Sequence, residues 1–231
     1  MFLPDIPKKT KIESDIFLIL NPFTKSDIYV NIKMYNSVIR NRKEKYKMQW
    51  YKKSYRRNLV DMHINDWNEE FLSQFDPDAY FEYLRTAKVD GVMLYLQSHA
   101  GLCHYPTASG VMHKNLVGRE DAMRRLVNKC RENGISVVGY YSLIFNTREE
   151  ERHPEWRLVS DRVTGTSAHQ RGSRYGRFCP NNAEYREFLK AQVAEIRDYF
   201  TLDGIFYDMT YWSGVCYCES CRARFERETG I

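Results

Sequence analysis

Several features that would define a function class are missing from this chain of 231 residues. No stretch approaches the roughly 20 consecutive apolar residues of a membrane span. The run Ile16–Leu20 is too short for the core of a signal peptide, and it is preceded by two acidic residues. The chain also lacks a GxGxxG motif and a P-loop, so nothing supports a nucleotide-binding sheet. We therefore expect a cytoplasmic protein without a membrane segment.

Glycine is absent from residues 1–57, which show no sustained hydrophobic period. This stretch holds 14 basic and 5 acidic residues, a net charge of +9, whereas the rest of the chain holds 21 basic and 25 acidic residues, a net charge of −4. The basicity does not belong to a folded face, which disfavours binding to nucleic acid. We predict a poorly ordered basic extension over residues 1–57 and a folded domain over residues 58–231.

Cysteine is sparse, since six cysteines in a chain of this length do not make a disulfide scaffold. Three of them form a CxCxxC motif at Cys216, Cys218 and Cys221. A tetrahedral zinc site needs four ligands, usually Cys or His. Cys179 is the first candidate for the fourth ligand and Cys103 the second. The spacing leaves structural zinc and free thiols as alternatives.

Residues 58–231 alternate between apolar runs and amphipathic stretches. Apolar strands in strict alternation with helices predict a parallel sheet. The loops that follow the strands are long, which favours a (β/α) barrel with its site at that end, and a doubly wound sheet is the alternative. The predicted elements are strands at Leu59–Ile64, Gly91–Leu96, Ile135–Tyr141 and Leu202–Asp208, and helices at Asp76–Lys88, Arg119–Asn133, Glu184–Phe200 and Glu219–Thr229.

Four such units are half of a barrel. A closed eight-stranded barrel takes about 250 residues, whereas only 174 residues follow position 57. We therefore expect an α/β fold that is a partial (β/α)8 TIM barrel, made of about the first four units. Its outer strands would keep unpaired backbone groups, so we expect association with a second copy or with a missing half.

Asp208 is the leading candidate for a catalytic residue. It stands at the carboxyl end of a predicted buried strand, where barrel enzymes present catalytic acids and nucleophiles. His63 and His99 lie at the ends of the first two predicted strands, and the flat ring of Trp212 follows Asp208. A charge beside an apolar ring is typical of a sugar site. The alternative is that Asp208 only caps the end of its strand.

Three segments of the chain resemble the first half of the family-29 glycoside hydrolases, the α-L-fucosidases. That family has a K-H-H-D-G-F run after its second strand, a G-x-Y-Y-S run on the third and a D-G-x-W-F-D run on the fourth. Here the corresponding segments are Leu96–Thr107, Gly134–Ser142 and Leu202–Asp208. Ser98 and Ala100 replace a His and an Asp of the family motif. The stretch from 63 to 230 is still more similar to uncharacterised glycosyl hydrolases that carry a β-galactosidase-type trimerisation domain.

This resemblance implies a retaining glycosidase that acts on oligosaccharides or glycosides and needs no catalytic cofactor. Asp208 matches the family nucleophile, while the family's acid/base lies beyond the fourth unit and so outside this chain. We expect Glu149, Glu150 and Glu151 to form a solvated surface run instead. The sugar contacts implied by the resemblance are His63 and His99. We also expect the aromatic rings of Trp67, Tyr141 and Trp212 to stack on the sugar or line its site.

Two other functions remain open at this point. Family-42 β-galactosidases carry a similar C-x-C-x-x-C bound to structural zinc just after their fourth strand, so a β-galactosidase-type activity is one alternative. The other is a non-catalytic carbohydrate-binding or degenerate barrel piece.

Overall fold

The computed structural model describes residues 49–160, 174–211 and 215–231. Six strands and five α-helices lie in these ranges. The strands are β1 Arg57–Leu59, β2 Gly91–Tyr95, β3 Leu102–Cys103, β4 Val111–Met112, β5 Ser136–Ser142 and β6 Gly204–Asp208, and the helices are α1 Pro77–Thr86, α2 Ala122–Glu132, α3 Thr147–Arg152, α4 Ala183–Tyr199 and α5 Glu219–Thr229. Short 3-10 helices lie at Trp50–Lys52, Lys114–Leu116 and Pro154–Trp156.

The main sheet has four parallel strands in the order β1-β2-β5-β6. Helix α1 connects β1 to β2, α2 lies between β2 and β5, α4 lies between β5 and β6, and α5 follows β6. This order confirms the predicted α/β fold with a parallel sheet built from successive strand and helix units. Within the described residues the sheet is open, with β1 and β6 at its edges. These residues therefore form an open parallel sheet and not a closed barrel.

The central strands form the core. Every residue of β5 is buried, as expected for a strand covered on both faces. Helix α2 buries Met123, Leu126, Val127 and Cys130, the face predicted from their spacing. Strand β6, at the edge, has no fully buried residue, and Phe206 on it is 43% exposed.

Local sequence signals set the helix ends. The Oδ1 atom of Asp76 accepts hydrogen bonds from the backbone N–H groups of Asp78 and Ala79, at 2.8 and 3.3 Å, and Pro77 follows as the first helical residue. Helix α5 ends at Gly230, whose φ of 73° is the left-handed conformation that glycine adopts most easily.

The first strand differs from its predicted position. Strand β1 covers Arg57–Leu59, whereas the apolar run predicted a strand over 59–64. The reason is a turn in which the N–H of His63 donates to Oδ1 of Asp61 at 3.0 Å, which diverts the backbone from extended pairing. Elements begin at Trp50, before the domain boundary predicted at residue 57. Residues 1–48 of the predicted extension lie outside the described residues.

One contact fixes how β6 pairs with β5. The Oδ2 atom of Asp203 accepts from the N–H of Val137 at 2.9 Å and from Nη1 of Arg131 at 2.6 Å, while the N–H of Asp203 donates to the carbonyl of Val137 at 2.8 Å. These two hydrogen bonds between Asp203 and Val137 lie at the amino end of the strands. They set a register in which Ser142 lies opposite Asp208 at the other end.

The long loops contain structure that hydrophobic periodicity did not indicate. Strands β3 and β4 pair in parallel within the loop after β2, and α3 lies in the loop after β5. These elements are too short for a recognisable period. None of the helices in the described part of the chain has the length and apolar character needed to cross a membrane.

Candidate active site

Three side chains meet at the carboxyl end of the sheet: His63 from beyond β1, His99 from beyond β2, and Asp208 from the end of β6. One nitrogen or oxygen atom from each lies within 4.8 Å of the other two. The side chain of His99 is 4% exposed and that of Asp208 is 29% exposed. The site therefore combines a buried imidazole with a carboxylate that solvent can reach.

The carboxylate of Asp208 is oriented by two hydrogen-bond donors. Its Oδ1 accepts from the backbone N–H of Met209 at 2.8 Å, in a turn where Met209 has a φ of 59°. Its Oδ2 accepts a short hydrogen bond from the hydroxyl of Tyr140 and lies 3.6 Å from Nε2 of His99. Both oxygens are thus fixed in direction by groups on β5 and on the turn after β6.

The two imidazoles stack, with ring centroids 3.9 Å apart and planes inclined by 20°. Nδ1 of His63 accepts from the backbone N–H of His99 at 3.0 Å, so a neutral His63 carries its proton on Nε2. Ser142 donates to the carbonyl of Phe145 at 2.7 Å, which leaves its oxygen to accept from Nδ1 of His99 at 2.6 Å. A neutral His99 therefore presents the lone pair of Nε2 to the site.

Burial controls the charge of both histidines. Desolvation lowers the pKa of His63, against the opposing effect of the nearby carboxylates of Asp61 and Asp208. Desolvation and the neighbouring His63 lower the pKa of His99 to about 4, again with Asp208 opposing. Both rings are therefore neutral near pH 7, one as a donor and the other as an acceptor, which suits contacts with hydroxyl groups.

Two histidines and one carboxylate at this spacing also have the composition of a metal site. The hydrogen bonds disfavour that use. The Nδ1 lone pair of His63 is already directed at a backbone N–H, and its Nε2 carries the proton. A metal ion would need His63 to rotate or to lose that contact, so the arrangement fits hydroxyl recognition better.

Aromatic residues form one wall of the site. The ring of Tyr95 stacks on that of Tyr140, with centroids 3.9 Å apart and an angle of 13°. Burial raises the pKa of Tyr95 to about 12 and raises that of Tyr140 further, with the hydrogen bond to Asp208 adding to the latter shift. Both hydroxyls stay protonated as donors. Asp61 adds a second carboxylate at this rim, 3.8 Å from Nε2 of His63.

Among the predicted sugar contacts, Tyr141 requires a correction. It is 1% exposed, and its hydroxyl donates to Oε1 of Gln192 at 2.6 Å, inside the core. Successive side chains of a strand point to opposite faces, so Tyr140 faces Asp208 and Tyr141 faces the helical layer. Tyr140, and not Tyr141, is therefore the tyrosine of β5 that lies at the site.

The two predicted tryptophan contacts have different outcomes. Trp67 is 71% exposed, and its ring makes an edge contact with Phe71 at 4.8 Å. In the described part of the chain no ring contact joins it to His63 or His99. Trp212 lies outside the described residues.

The expectation of a solvated glutamate run is wrong for two of its three members. Glu149 and Glu150 are 0% and 2% exposed, whereas the side chain of Glu151 is 51% exposed. Asn146 caps α3 by accepting from the N–H of Glu149 at 2.9 Å, which turns the first two glutamates inward. Burial raises the pKa of Glu149, and Arg152 opposes this shift from 2.7 Å.

A second cluster lies apart from this triad. The Sγ atoms of Cys179, Cys216, Cys218 and Cys221 all lie within 4.8 Å of one another. The sequence-based choice of Cys179 as the partner of the CxCxxC motif therefore has a geometric basis. Cys103, the second candidate, is buried elsewhere and accepts from Nε2 of Gln192 at 3.4 Å.

The chain matches the family model described as hypothetical glycosyl hydrolase 6 over residues 76–209, more than half of its length. It belongs to this glycosyl hydrolase family. The matched part contains His99 and Asp208 but neither His63 nor the CxCxxC motif. No curated protein sequence matches the chain.

The fold of this glycosyl hydrolase is also found in a solved α-L-fucosidase structure. Isoenzyme 2 from Paenibacillus thiaminolyticus aligns with a TM-score of 0.64 and 22% identity, over 76% of this chain and 26% of that one. The Thermotoga maritima α-fucosidase in complex with fucose aligns with a TM-score of 0.43 and 22% identity, over 70% of this chain and 36% of that one. The chain thus spans about a quarter to a third of these enzymes, and at this identity the likeness shows the fold alone.

Sequence reasoning missed several residues of the site in this glycosyl hydrolase: Tyr95, Tyr140, Ser142 and Asp61. Tyr140 and Ser142 are two residues apart, and their alternation could have placed both on one face of β5. In a fully buried strand, however, both faces are apolar and the phase of the alternation is hidden. The apolar run predicts Asp61 inside a strand, whereas the structure places it in the loop after β1.

Proposed function

We propose that this glycosyl hydrolase family member is a retaining O-glycoside hydrolase of the α-L-fucosidase-like type, with Asp208 as its nucleophile. The observation that carries the proposal is the setting of Asp208, a partly exposed carboxylate at a strand end with both oxygens held by donors. A nucleophile must keep a fixed line of attack. The two hydrogen bonds to the carboxylate fix the direction of both of its oxygens.

In the proposed reaction, one oxygen of Asp208 attacks the anomeric carbon while the bond to the leaving oxygen breaks. The electron pair of that bond goes to the leaving oxygen, which takes a proton from the acid/base residue. Water then attacks the same carbon of the resulting glycosyl ester, gives a proton to the acid/base residue, and releases the free carboxylate of Asp208. Two inversions give net retention of configuration.

The histidines are proposed to bind the sugar ring. Nε2 of His99 can accept a hydrogen bond from a sugar hydroxyl, while the Nε2 proton of His63 can be donated to another. Neutral imidazoles suit this task because they leave the negative charge of the site on Asp208. Trp67 and Trp212 remain proposed as apolar surfaces for the sugar.

We propose that the acid/base carboxylate comes from sequence outside this chain, which would make the chain inactive by itself. The open sheet of four strands supports this, because eight strands close a barrel. Asp61 is the alternative source within the described residues. It contacts His63, but its side chain is 71% exposed, which makes it the weaker candidate.

We further propose that the partner is a carbohydrate and not nucleic acid or a membrane, that catalysis needs no cofactor, and that the protein works in the cytoplasm. The open edges of β1 and β6 are proposed to associate with a second copy or with the rest of a barrel.

A direct test uses the protein with any natural continuation of its reading frame. A panel of nitrophenyl glycosides, including the α-L-fucoside and the β-D-galactoside, defines the sugar. We expect the fucoside to be hydrolysed with retention, Asp208→Gly to abolish turnover, and azide to restore part of it as a glycosyl azide. Asp61→Asn is the matched control and should keep most of the activity.

Each alternative has its own outcome. Preferred hydrolysis of the β-D-galactoside would replace the fucosidase proposal with a β-galactosidase-type one. Sugar binding without hydrolysis would indicate a non-catalytic carbohydrate-binding protein. Undiminished turnover in Asp208→Gly would remove Asp208 from the mechanism.

A further inference from the structure

The four-cysteine cluster joins parts of the chain that are distant in sequence. Cys179 lies just before helix α4, whereas Cys216, Cys218 and Cys221 lie between β6 and the first turn of α5. All four are free cysteines, Cys179 and Cys216 buried and the other two partly buried. The cluster uses none of the residues of the proposed sugar site, and the reaction gives it no task.

The spacing of the sulfur atoms suits one tetrahedral ion. Four sulfurs at about 2.3 Å from a zinc ion lie roughly 3.8 Å from each other. Here the four Sγ atoms lie within 4.8 Å of one another, with Cys179 and Cys221 3.3 Å apart. Shifts of an ångström or less would therefore complete the coordination.

Hydrogen-bond donors point at two of these sulfurs. The backbone N–H of Val159 donates to Sγ of Cys216 at 3.4 Å, and Nδ2 of Asn181 donates to Sγ of Cys221 at 3.2 Å. Asn181 is held in turn by Nη1 of Arg224, which donates to its Oδ1 at 2.8 Å. Donors of this kind stabilise metal-bound thiolates and orient them, as in the outer shell of many metal sites.

Helix α5 provides an independent argument. It has no buried residue, and Phe225 on it is 55% exposed. Burial of an apolar face normally supplies most of the stability of a helix of this length, and here that contribution is small. The cluster lies at the first turn of α5 and links it to the segment 157–159, where the N–H of Tyr217 donates to the carbonyl of Val159 at 2.6 Å.

We infer that Cys179, Cys216, Cys218 and Cys221 bind one zinc ion, which anchors helix α5 to the loop that precedes α4. Four protein thiolates fill the tetrahedron and leave no position for substrate or water, so the ion is structural. Binding releases thiol protons, and its free energy becomes part of the folding free energy of this region. The competing state is four free thiols.

The metal content of the full chain tests the inference. Protein purified without added metal or chelator is expected to contain about one zinc ion per chain, as measured by inductively coupled plasma mass spectrometry. Metal-stripped protein titrated with Co²⁺ should develop the visible and charge-transfer absorption of a tetrahedral thiolate site at the same stoichiometry. Metal-free protein that gives no such absorption with Co²⁺ would overturn the inference.

Matched variants locate the ion. Cys221→Ser and Cys218→Ser should lose the zinc and the cobalt spectrum, whereas Cys130→Ala should keep both, because Cys130 is a buried cysteine of α2 outside the cluster. If the serine variants fail to fold, the cobalt titration of the wild-type chain still decides the question. Full zinc content in both serine variants would contradict the assignment.

Hydrogen exchange tests whether the bound ion stabilises helix α5 or only binds to the cysteines. Chelation should speed the exchange of amides in α5 several-fold or more and leave those of α2 unchanged. Unchanged protection of α5 after the metal has been removed would reject the anchoring role.

Discussion

The hydroxyl of Tyr140 donates a hydrogen bond to Oδ2 of Asp208, from the strand next to the one that carries the carboxylate. The contact therefore links a side chain of β5 to the proposed nucleophile at the end of β6. It also makes Tyr140 a positioning residue, because the proposed attack on a sugar depends on where Oδ2 points.

Tyr140→Phe removes this donor and keeps the ring stacked on Tyr95. A hydrogen bond to a charged group is worth about 1.5–3 kcal/mol, so we expect kcat to fall about 10- to 100-fold. KM should change little, because the ring that lines the site remains. Steady-state kinetics of the protein with its natural continuation, on the best nitrophenyl glycoside, measures both.

Tyr141→Phe is the matched control for that change. Tyr141 faces the core, and the loss of its bond to Gln192 should cost about 1 kcal/mol in the free energy of unfolding while kcat is kept. Equal losses of kcat in the two variants would show that Tyr140 acts only through general stability.

His99 predicts how stability depends on pH. Its pKa is about 4 in the folded chain and near 6.5 when unfolded, so the unfolded state binds the proton more tightly between these values. The stabilisation is complete above pH 6.5 and is lost as pH falls towards 4. Urea unfolding across this range should show that the free energy of unfolding decreases as the pH falls. His99 should contribute about 1.4 kcal/mol per pH unit to that decrease.

In the His99→Asn variant the slope should be smaller by about 1.4 kcal/mol per pH unit, the contribution of one proton. His104, whose pKa burial also lowers to about 4, keeps part of the slope in both proteins. Measurements near pH 8 give the packing cost of the substitution separately, since the lowered pKa values leave both His99 and His104 neutral there. An unchanged slope in the variant would mean that His99 is not held neutral by the fold.

Gly101 and Gly118 form a natural pair for testing the loop after β2. Both have a left-handed backbone, with φ of 86° and 83°. A Cβ on Gly101 would lie 2.0 Å from Oδ1 of Asn146, the cap of α3, whereas nothing lies within 4 Å of one on Gly118. Gly118→Ala should therefore cost only the backbone strain, about 1–2 kcal/mol.

Gly101→Ala should cost that amount and about 1–3 kcal/mol more, because the clash displaces the helix cap. It should also lower activity, since the loop backbone at His99 accepts from the N–H of Thr147 at 3.1 Å. Chemical unfolding of the two variants gives the comparison. Equal stability losses would show that Asn146 moves aside without cost.

Trp67 offers a test of the proposed sugar surface. Its ring is mostly exposed, so Trp67→Ala should leave the unfolding free energy within about 0.5 kcal/mol of the wild type. If the ring contacts the sugar, KM should rise by roughly tenfold at most, with kcat retained. Unchanged KM and kcat would make Trp67 an ordinary surface residue.

The parts of the molecule that the sequence predicted best are those with strong local signals. Asp76 with Pro77 fixed the start of α1, and apolar strands in alternation with helices predicted the parallel sheet. His63, His99 and Asp208 stood at the ends of strands, and parallel strands bring such ends to one edge. Their positions in the sequence were therefore enough to predict that these three residues lie close together.

What the sequence could not show depends on contacts between distant segments. Tyr140 and Tyr141 are the same residue type on a strand buried on both faces, so only the partner strand decides which one meets Asp208. Glu149 and Glu150 form part of a charged run, yet the cap at Asn146 turns them into the protein. A sequence pattern contains no information on such long-range choices.

Asp203 directly precedes strand β6 and Asp208 ends it, so the two residues lie about 16 Å apart at the usual rise per residue. Because side chains alternate, a slip of one residue between β5 and β6 would turn Asp208 away from His99. A substitution of Asp203, at the opposite end of the sheet, would then reduce activity in the same way as a substitution in the site. Every group that could contact a sugar would still be present. Loss of activity in that variant, with its secondary structure intact, would report misalignment of a strand and not altered chemistry.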